Sequence, residues 1–145
     1  MMRVSVRFPG DIVAHFKKIL PSQSDMLLLG GDAMTKIKQH TQRGEDVNGG
    51  GFAPYSENYA DYREKKGRRR SPVNLTFHGD MLKSMAVRNI ANGVQIYFMD
   101  AERGAVARYH NEGTPTMPQR EFFGLSQSEL QQITDQLIQR IRARL

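Results

Sequence analysis

Met85-Ala86-Val87-Arg88-Asn89-Ile90-Ala91-Asn92-Gly93-Val94-Gln95-Ile96-Tyr97-Phe98-Met99 is the stretch that decides the fold of this chain. Two strand-like runs, Met85 to Ile90 and Val94 to Met99, flank Ala91-Asn92-Gly93, and Asn-Gly supplies the positive dihedral angles that a tight hairpin turn requires. Alternation along the second run puts Val94, Ile96 and Phe98 on one face and Gln95 and Tyr97 on the other. Met2 to Phe8 repeats the pattern, with Val4, Val6 and Phe8 on one face, and is expected to join the hairpin as a further strand.

Helical spacing takes over on either side. Asp11 reads as the N-cap of a short helix carrying Ile12, Val13, Phe16, Ile19 and Leu20, which Pro21 stops. Ser22 or Ser24 opens a second helix with Met26, Leu29, Ala33, Met34 and Ile37. Gly30-Gly31 weakens it by about 1 kcal/mol per glycine relative to alanine, so tertiary packing must hold it. Near the C-terminus, Ser126 and Glu129 form a capping box, with Leu125 and Leu130 placed for a hydrophobic staple. Leu130, Ile133, Leu137, Ile138, Ile141 and Leu145 follow at helical spacing and read as core. Gln131, Gln132, Asp135, Gln136, Gln139 and Arg140 make the polar face. The expected fold is α+β: a small antiparallel sheet with a central hairpin, packed by N-terminal and C-terminal helices, in one domain over residues 1–145.

Between Gly44 and Pro72 periodicity lapses, apart from a turn of helix expected at Ser56 to Glu64 on which Tyr55, Tyr59 and Tyr62 share one side. A loop this long inside a domain is usually functional or disordered. In a ring-forming protein it would be an arm that orders against a neighbour. Arg63, Lys65, Lys66, Arg68, Arg69 and Arg70 crowd its second half, with Glu64 the one acid among them, in a chain of formal charge +6. The cluster reads either as a solvated face or as a surface that meets DNA or an acidic partner ring. Base stacking on single-stranded nucleic acid fits less well, because the tyrosines precede the basic run and do not alternate with it. Arg140, Arg142 and Arg144 read as helix-end electrostatics, since a helix dipole favours cations in the last turn.

A catalytic constellation is missing from the sequence. His15, His40, His78 and His110 are far apart and none forms a helical metal pair. His110 and Glu112, one residue apart beside Gly113, suit a polar loop or a subunit contact better than an acid–base pair. Gly30-Gly31 with Lys36 lacks the spacing and ending of a phosphate loop, and no serine nucleophile elbow occurs. Neither an enzymatic activity nor a cofactor or metal is expected. No window of about 18 apolar residues suggests a membrane span, and the N-terminus lacks a signal-peptide core, so export by that route is not expected. The absence of cysteine removes any disulfide framework and fits a reducing cytoplasm.

Three segments, in order, carry a resemblance. Gly51-Phe52-Ala53-Pro54-Tyr55-Ser56-Glu57-Asn58-Tyr59 precedes the basic Lys65-Lys66-Gly67. Leu75-Thr76-Phe77-His78-Gly79-Asp80-Met81-Leu82-Lys83-Ser84 looks like a Thr-Gly-x-x-Leu-x-x-Ser element with Phe77 and His78 inserted between the Thr and Gly counterparts and one residue fewer before Ser84. The third runs from Ala107 through Tyr109, His110 and Gly113 to Arg120-Glu121-Phe122-Phe123-Gly124-Leu125-Ser126. Together they resemble the phage virion morphogenesis proteins, the tail-completion or neck proteins of tailed phages. Phe52 stands where that family often has Trp, and Gly49 to Gly51 lengthen the loop.

The resemblance implies a structural virion protein of the phage neck, assembled in the host cytoplasm, that completes the tail or joins it to the head connector as a homo-oligomeric ring around the DNA channel. Its expected partners are further copies of itself and other neck, connector or tail-tube proteins, with non-specific contact to packaged DNA and no membrane. Under this reading Phe52, Tyr55, Tyr59, Tyr109, His110, Arg120, Phe122 and Phe123 are expected at subunit or partner contacts. Phe122 and Phe123 would fix the Thr114 to Arg120 loop at a subunit boundary, and Arg120 would pair with an acid on the same or the next subunit. Arg63, Lys65, Lys66, Arg68, Arg69 and Arg70 would face DNA or an acidic ring. A small basic nucleic-acid-binding protein and an assembly chaperone absent from the mature virion remain open alternatives.

Overall fold

The hairpin forms where the alternation places it. In the computed structural model, which describes residues 2–7 and 21–144, β1 (Arg3–Arg7), β2 (Met85–Ile90) and β3 (Gly93–Phe98) make one antiparallel sheet in the order β1-β3-β2. Ile90 stands opposite Gly93 and Val6 opposite Val94. The turn is two residues, Ala91-Asn92, and Asn92 takes the left-handed φ of 57°. Gly93 already belongs to the strand, so asparagine, which tolerates that region, makes the turn.

Val94, Ile96 and Phe98 are sealed from solvent, as the alternation requires. Gln95 on the opposite face is buried as well, which alternation alone does not foresee. β3 is the central strand, so Gln95 has Ser5 on one side and Arg88 on the other. Arg88 Nε donates to Gln95 Oε1 at 2.7 Å and its guanidinium lies 4.3 Å from the Tyr97 ring centre. Long side chains from the flanking strand thus roof the polar face.

α1 (Gln23–Gln42) begins at Ser22, which caps it in a reciprocal box with Asp25. Met26, Leu29, Ala33 and Ile37 are buried against the sheet. Gly30 explains the weak spot in the sequence: a Cβ there would stand 2.4 Å from Val87 Cγ1 and 2.6 Å from Val94 Cγ2. The helix approaches the strands closely because this position has no side chain. Gly31 has nothing within 4 Å.

α5 (Gln127–Ala143) has its Ser126–Glu129 box and buries Ile133, Leu137 and Ile141. Leu130 is exposed and Ile138 only half-buried, so the apolar stripe is narrower than its periodicity suggests. Two of the terminal arginines reach across to α1: Arg140 to Asp32 at 2.8 Å and Arg144 to Asp25 at 2.7 Å. The hydrogen bond from Arg144 outweighs the effect of burial and holds the Asp25 carboxyl at about 2. These cations are interhelical ties as well as helix-end charges.

His40, the last-turn histidine of α1, joins three elements. Its Nδ1 lies 2.9 Å from Glu129 Oε2 and its Nε2 2.7 Å from the Phe122 carbonyl. Burial raises the Glu129 carboxyl, but the Ser126 amide and His40 outweigh it and hold the group below its ordinary value.

Three shorter helices complete the described residues: α2 (Glu57–Lys65), α3 (Asp80–Lys83) and α4 (Ala101–Glu112). No helix among those residues is long and apolar enough to cross a membrane. The helix expected from Asp11 to Leu20, the side chain of Phe8 and that of Leu145 lie outside the described residues.

Candidate partner-binding groove

The segment from Gly44 to Pro72 lies against its own chain and is not an extended arm. Phe52 N–H donates to the Gly44 carbonyl at 2.9 Å, and α2, capped by Ser56, occupies the place of the expected helical turn. Arg63 is the anchor. Only 2 % exposed, it donates from Nε to the Arg69 carbonyl at 2.9 Å and from Nη1 to the Thr76 carbonyl at 2.8 Å. Its guanidinium also lies 4.8 Å from the Tyr55 ring centre, within the range of a cation–π contact. One buried cation therefore ties α2, the basic loop and the 74–77 segment together.

The rest of the basic run divides. Arg70 meets Glu57, Asp61 and Glu64, which share one face of α2. Arg68 donates to the Phe77 and Lys66 carbonyls and packs over the Phe77 ring. Lys65, Lys66 and Arg69 are exposed, Lys66 above Tyr62. Burial thus removes Arg63 from any outward basic surface, and three carboxylates balance Arg70. Tyr55, Tyr59, Tyr62, Phe77 and His78 form a run of neighbouring rings 4.6–6.2 Å apart. The structure thereby interleaves aromatics and cations that the sequence keeps apart.

Beside this run lies a groove of about 490 Å³. Tyr55 and Tyr59 form one wall, Arg103, Val106 and His110 of α4 another, and Leu75, Phe77, His78 and Met81 a third. Thr116, Met117 and Pro118 make the lip. Gly113 ends α4 at a φ of +77°, and a Cβ there would stand 3.0 Å from Gln119 N, so glycine lets the chain fold back. A tight turn between Thr114 and Met117 follows, and Arg120 N–H then donates to the His110 carbonyl at 2.7 Å. Leu75, in the wall, has a left-handed φ of 54°, a conformation costing a leucine roughly 1–2 kcal/mol. Its N–H donates to the Tyr55 hydroxyl at 3.1 Å.

Arg120 forms the floor at 4 % exposure. It pairs with no acid of its own chain among the described residues and donates to two backbone carbonyls, Ala53 and Pro54, both at 2.8 Å, lying 5.2 Å from the Tyr55 ring centre. Carbonyls and a ring face satisfy a guanidinium without bringing a counter-charge, so burial pulls Arg120 below its ordinary value. His110 is pulled down to about 4, first by burial and then by the Arg120 charge. Its Nδ1 is enclosed and has no hydrogen-bond partner among the described residues.

The structure brings Tyr55, Tyr59, His110 and Arg120 together on one groove and separates the other expected contacts. Phe122 and Phe123 lie in the core, with Phe123 5.2 Å from the Phe98 ring centre. They fasten the 114–120 loop to the core of the same chain, helped by His40 on the Phe122 carbonyl and by Asn111 Oδ1, which accepts from Phe123 N at 3.0 Å. Phe52 packs at the edge of the core beside a smaller cleft, and Tyr109 is 50 % exposed outside the groove. Sequence reasoning did not foresee Leu75, Phe77, Arg103, Val106 or Met117 as groove residues. It assigned no helix to Ala101–Glu112 and placed His110 and Glu112 in a polar loop, so it had no means of setting Arg103 and Val106 on a wall.

The model of the phage virion morphogenesis family matches residues 17–142, a span that takes in the hairpin, α1 to α4, all but the last residue of α5 and every groove residue. No curated protein and no solved structure matches the chain.

Proposed function

We propose a structural role in the phage neck for this chain, which belongs to the phage virion morphogenesis family. Its work is in virion assembly; the finer reading is that it completes the tail or joins it to the head connector, as a ring of identical subunits around the DNA channel. The family match over 17–142 carries this reading. The arrangement of groups supports contact over chemistry: the buried cations Arg63 and Arg120 fasten loops, and the one carboxylate of the groove, Asp80, pairs with Arg103 and with neither groove histidine among the described residues.

The test is electron microscopy of lysates from a phage-producing strain lacking this gene. Separate DNA-filled heads and unattached tails, rescued by supplying the chain, are the expected outcome. Normal infectious particles would overturn the role, and absence of the chain from purified virions would turn it into that of an assembly chaperone.

The exposed Lys65, Lys66 and Arg69 beside Tyr62 and Phe77 favour one competing reading, nucleic-acid binding by the isolated chain. With Arg63 buried and Arg70 balanced by acids, the cluster offers four cations to phosphates, counting Arg68. The log–log salt slope on duplex DNA is then expected to be no steeper than about −4. A steeper slope with tight binding would favour the competing reading.

A further inference from the structure

We propose that the groove between α2, α4 and the 114–120 loop receives an extended segment of a partner protein, held by one carboxylate carried between apolar side chains. The carboxylate seats against Arg120 and His110.

Charge complementarity selects this occupant. The ionisable groups facing the groove are Arg103, Arg120, His78, His110, Asp80, Tyr55 and Tyr59. Asp80, the one carboxylate, pairs with Arg103 at 3.6 Å. Arg120 is left on the floor with no acid among the described residues, two of its five N–H groups committed to neutral carbonyls. His110 lines the same groove, and its Nδ1 is enclosed with no hydrogen-bond partner among the described residues. A guanidinium meets a carboxylate through paired, charge-assisted hydrogen bonds that carbonyls do not equal. A carboxylate here would also favour the imidazolium, giving Nδ1 a hydrogen to donate.

The walls select what carries that carboxylate. Leu75, Met81, Val106, Met117 and Pro118 are apolar, and Tyr55 and Tyr59 present ring surface. The volume falls in the range of sites that enclose a small ligand, enough for a few side chains of an extended segment. A nucleic-acid backbone needs a row of exposed cations, whereas this groove holds the sunken Arg120 and an Arg103 already paired with Asp80, between apolar walls. The groove is also built in advance: the Tyr55 hydroxyl fixes Leu75, and the fold-back after Gly113 fixes the lip. A preformed wall lowers the ordering cost of binding.

The identity of the partner as a virion protein rests on the neck reading; the groove's preference for a carboxylate does not. The experiment therefore has two parts. First, the full chain is titrated, with NMR detection, with the acetylated and amidated peptides Gly-Leu-Asp-Leu-Gly and Gly-Leu-Asn-Leu-Gly. The Asp peptide is expected to shift Arg120 Nε and the His110 ring and to bind at least tenfold more tightly than the Asn peptide. Met117→Glu, which supplies an internal carboxylate at the lip, should weaken that binding at least tenfold. His110→Leu should reduce the difference between the two peptides and serves if Met117→Glu does not fold. Equal affinities, or shifts confined to other surfaces, would overturn the proposal, as would oligothymidylate displacing the peptide from the groove. Concentration-dependent self-association that Met117→Glu abolishes would assign the groove to a second copy and likewise overturn it.

Second, folded Met117→Glu is supplied to the deletion strain. Joined particles at least tenfold fewer than with wild type support the groove, and equal rescue overturns it as a virion contact. Failure of wild type itself to restore joined particles would overturn the neck reading alone, with the peptide titration still deciding the groove.

Discussion

Gly30 and Gly31 look alike in the sequence and differ in space. A methyl at Gly30 would press on Val87 and Val94, two side chains with few rotamers to retreat into. Gly30→Ala should cost about 1–3 kcal/mol from overpacking, more than its gain in helix propensity. Gly31→Ala meets nothing within 4 Å and should stabilise by about 0.5–1 kcal/mol. Urea unfolding of the two variants would show opposite signs; equal effects would sink the packing account. His110 makes a second case. Its folded value of about 4 lies below the ordinary 6.5, so between those values the unfolded chain binds a proton that the folded chain refuses. Stability should fall as pH drops from about 6.5 to about 4, approaching a loss of about 3 kcal/mol below that window. His110→Leu should flatten this stretch of the pH–stability curve, measured by denaturant midpoint.

Among the elements, α5 was the most legible, because a capping box and an apolar repeat are local features. Its box reaches further than the sequence reveals, since Glu129 both caps Ser126 and holds His40. Glu129→Ala should therefore cost more than an ordinary cap, about 2–3 kcal/mol when the lost cap is combined with the buried partner of His40. Ser126→Ala, which leaves that contact in place, should cost about 1 kcal/mol. Thermal unfolding of both separates the two effects. The hairpin was legible for the same reason as α5, down to its two strands. Its turn differs by one position, because Asn92 takes the left-handed conformation and frees Gly93 to pair. The width of the buried stripe on α5 was not legible: α1 covers Ile133, Leu137 and Ile141 and leaves Leu130 in solvent, and a helix's own periodicity does not state how wide its neighbour is.

For the molecule as a whole, two buried arginines decide the course of the 44–72 segment. Arg120 joins the loop after α4 to Ala53 and Pro54 across more than sixty positions of sequence. Arg120→Lys keeps the charge but cannot present the same planar fork. It should destabilise by about 2–3 kcal/mol and speed hydrogen exchange of the amides from Phe52 to Lys66 before those of α1 or β3; uniform acceleration would count against a local tie. By itself the sequence determined the strands and the starts and apolar faces of α1 and α5, because those depend on residues within a few positions of each other, whereas α3 and α4 were not read from it. It also determined the order of segments that marks the family. Tertiary structure alone decided that Arg63 is buried while Lys65 stays exposed, that Arg120 meets the Ala53 and Pro54 carbonyls, and that Tyr55, His110 and Met117 share a groove. Burial and charge pairing are set by whatever the fold brings alongside a residue, and those neighbours come from distant parts of the chain.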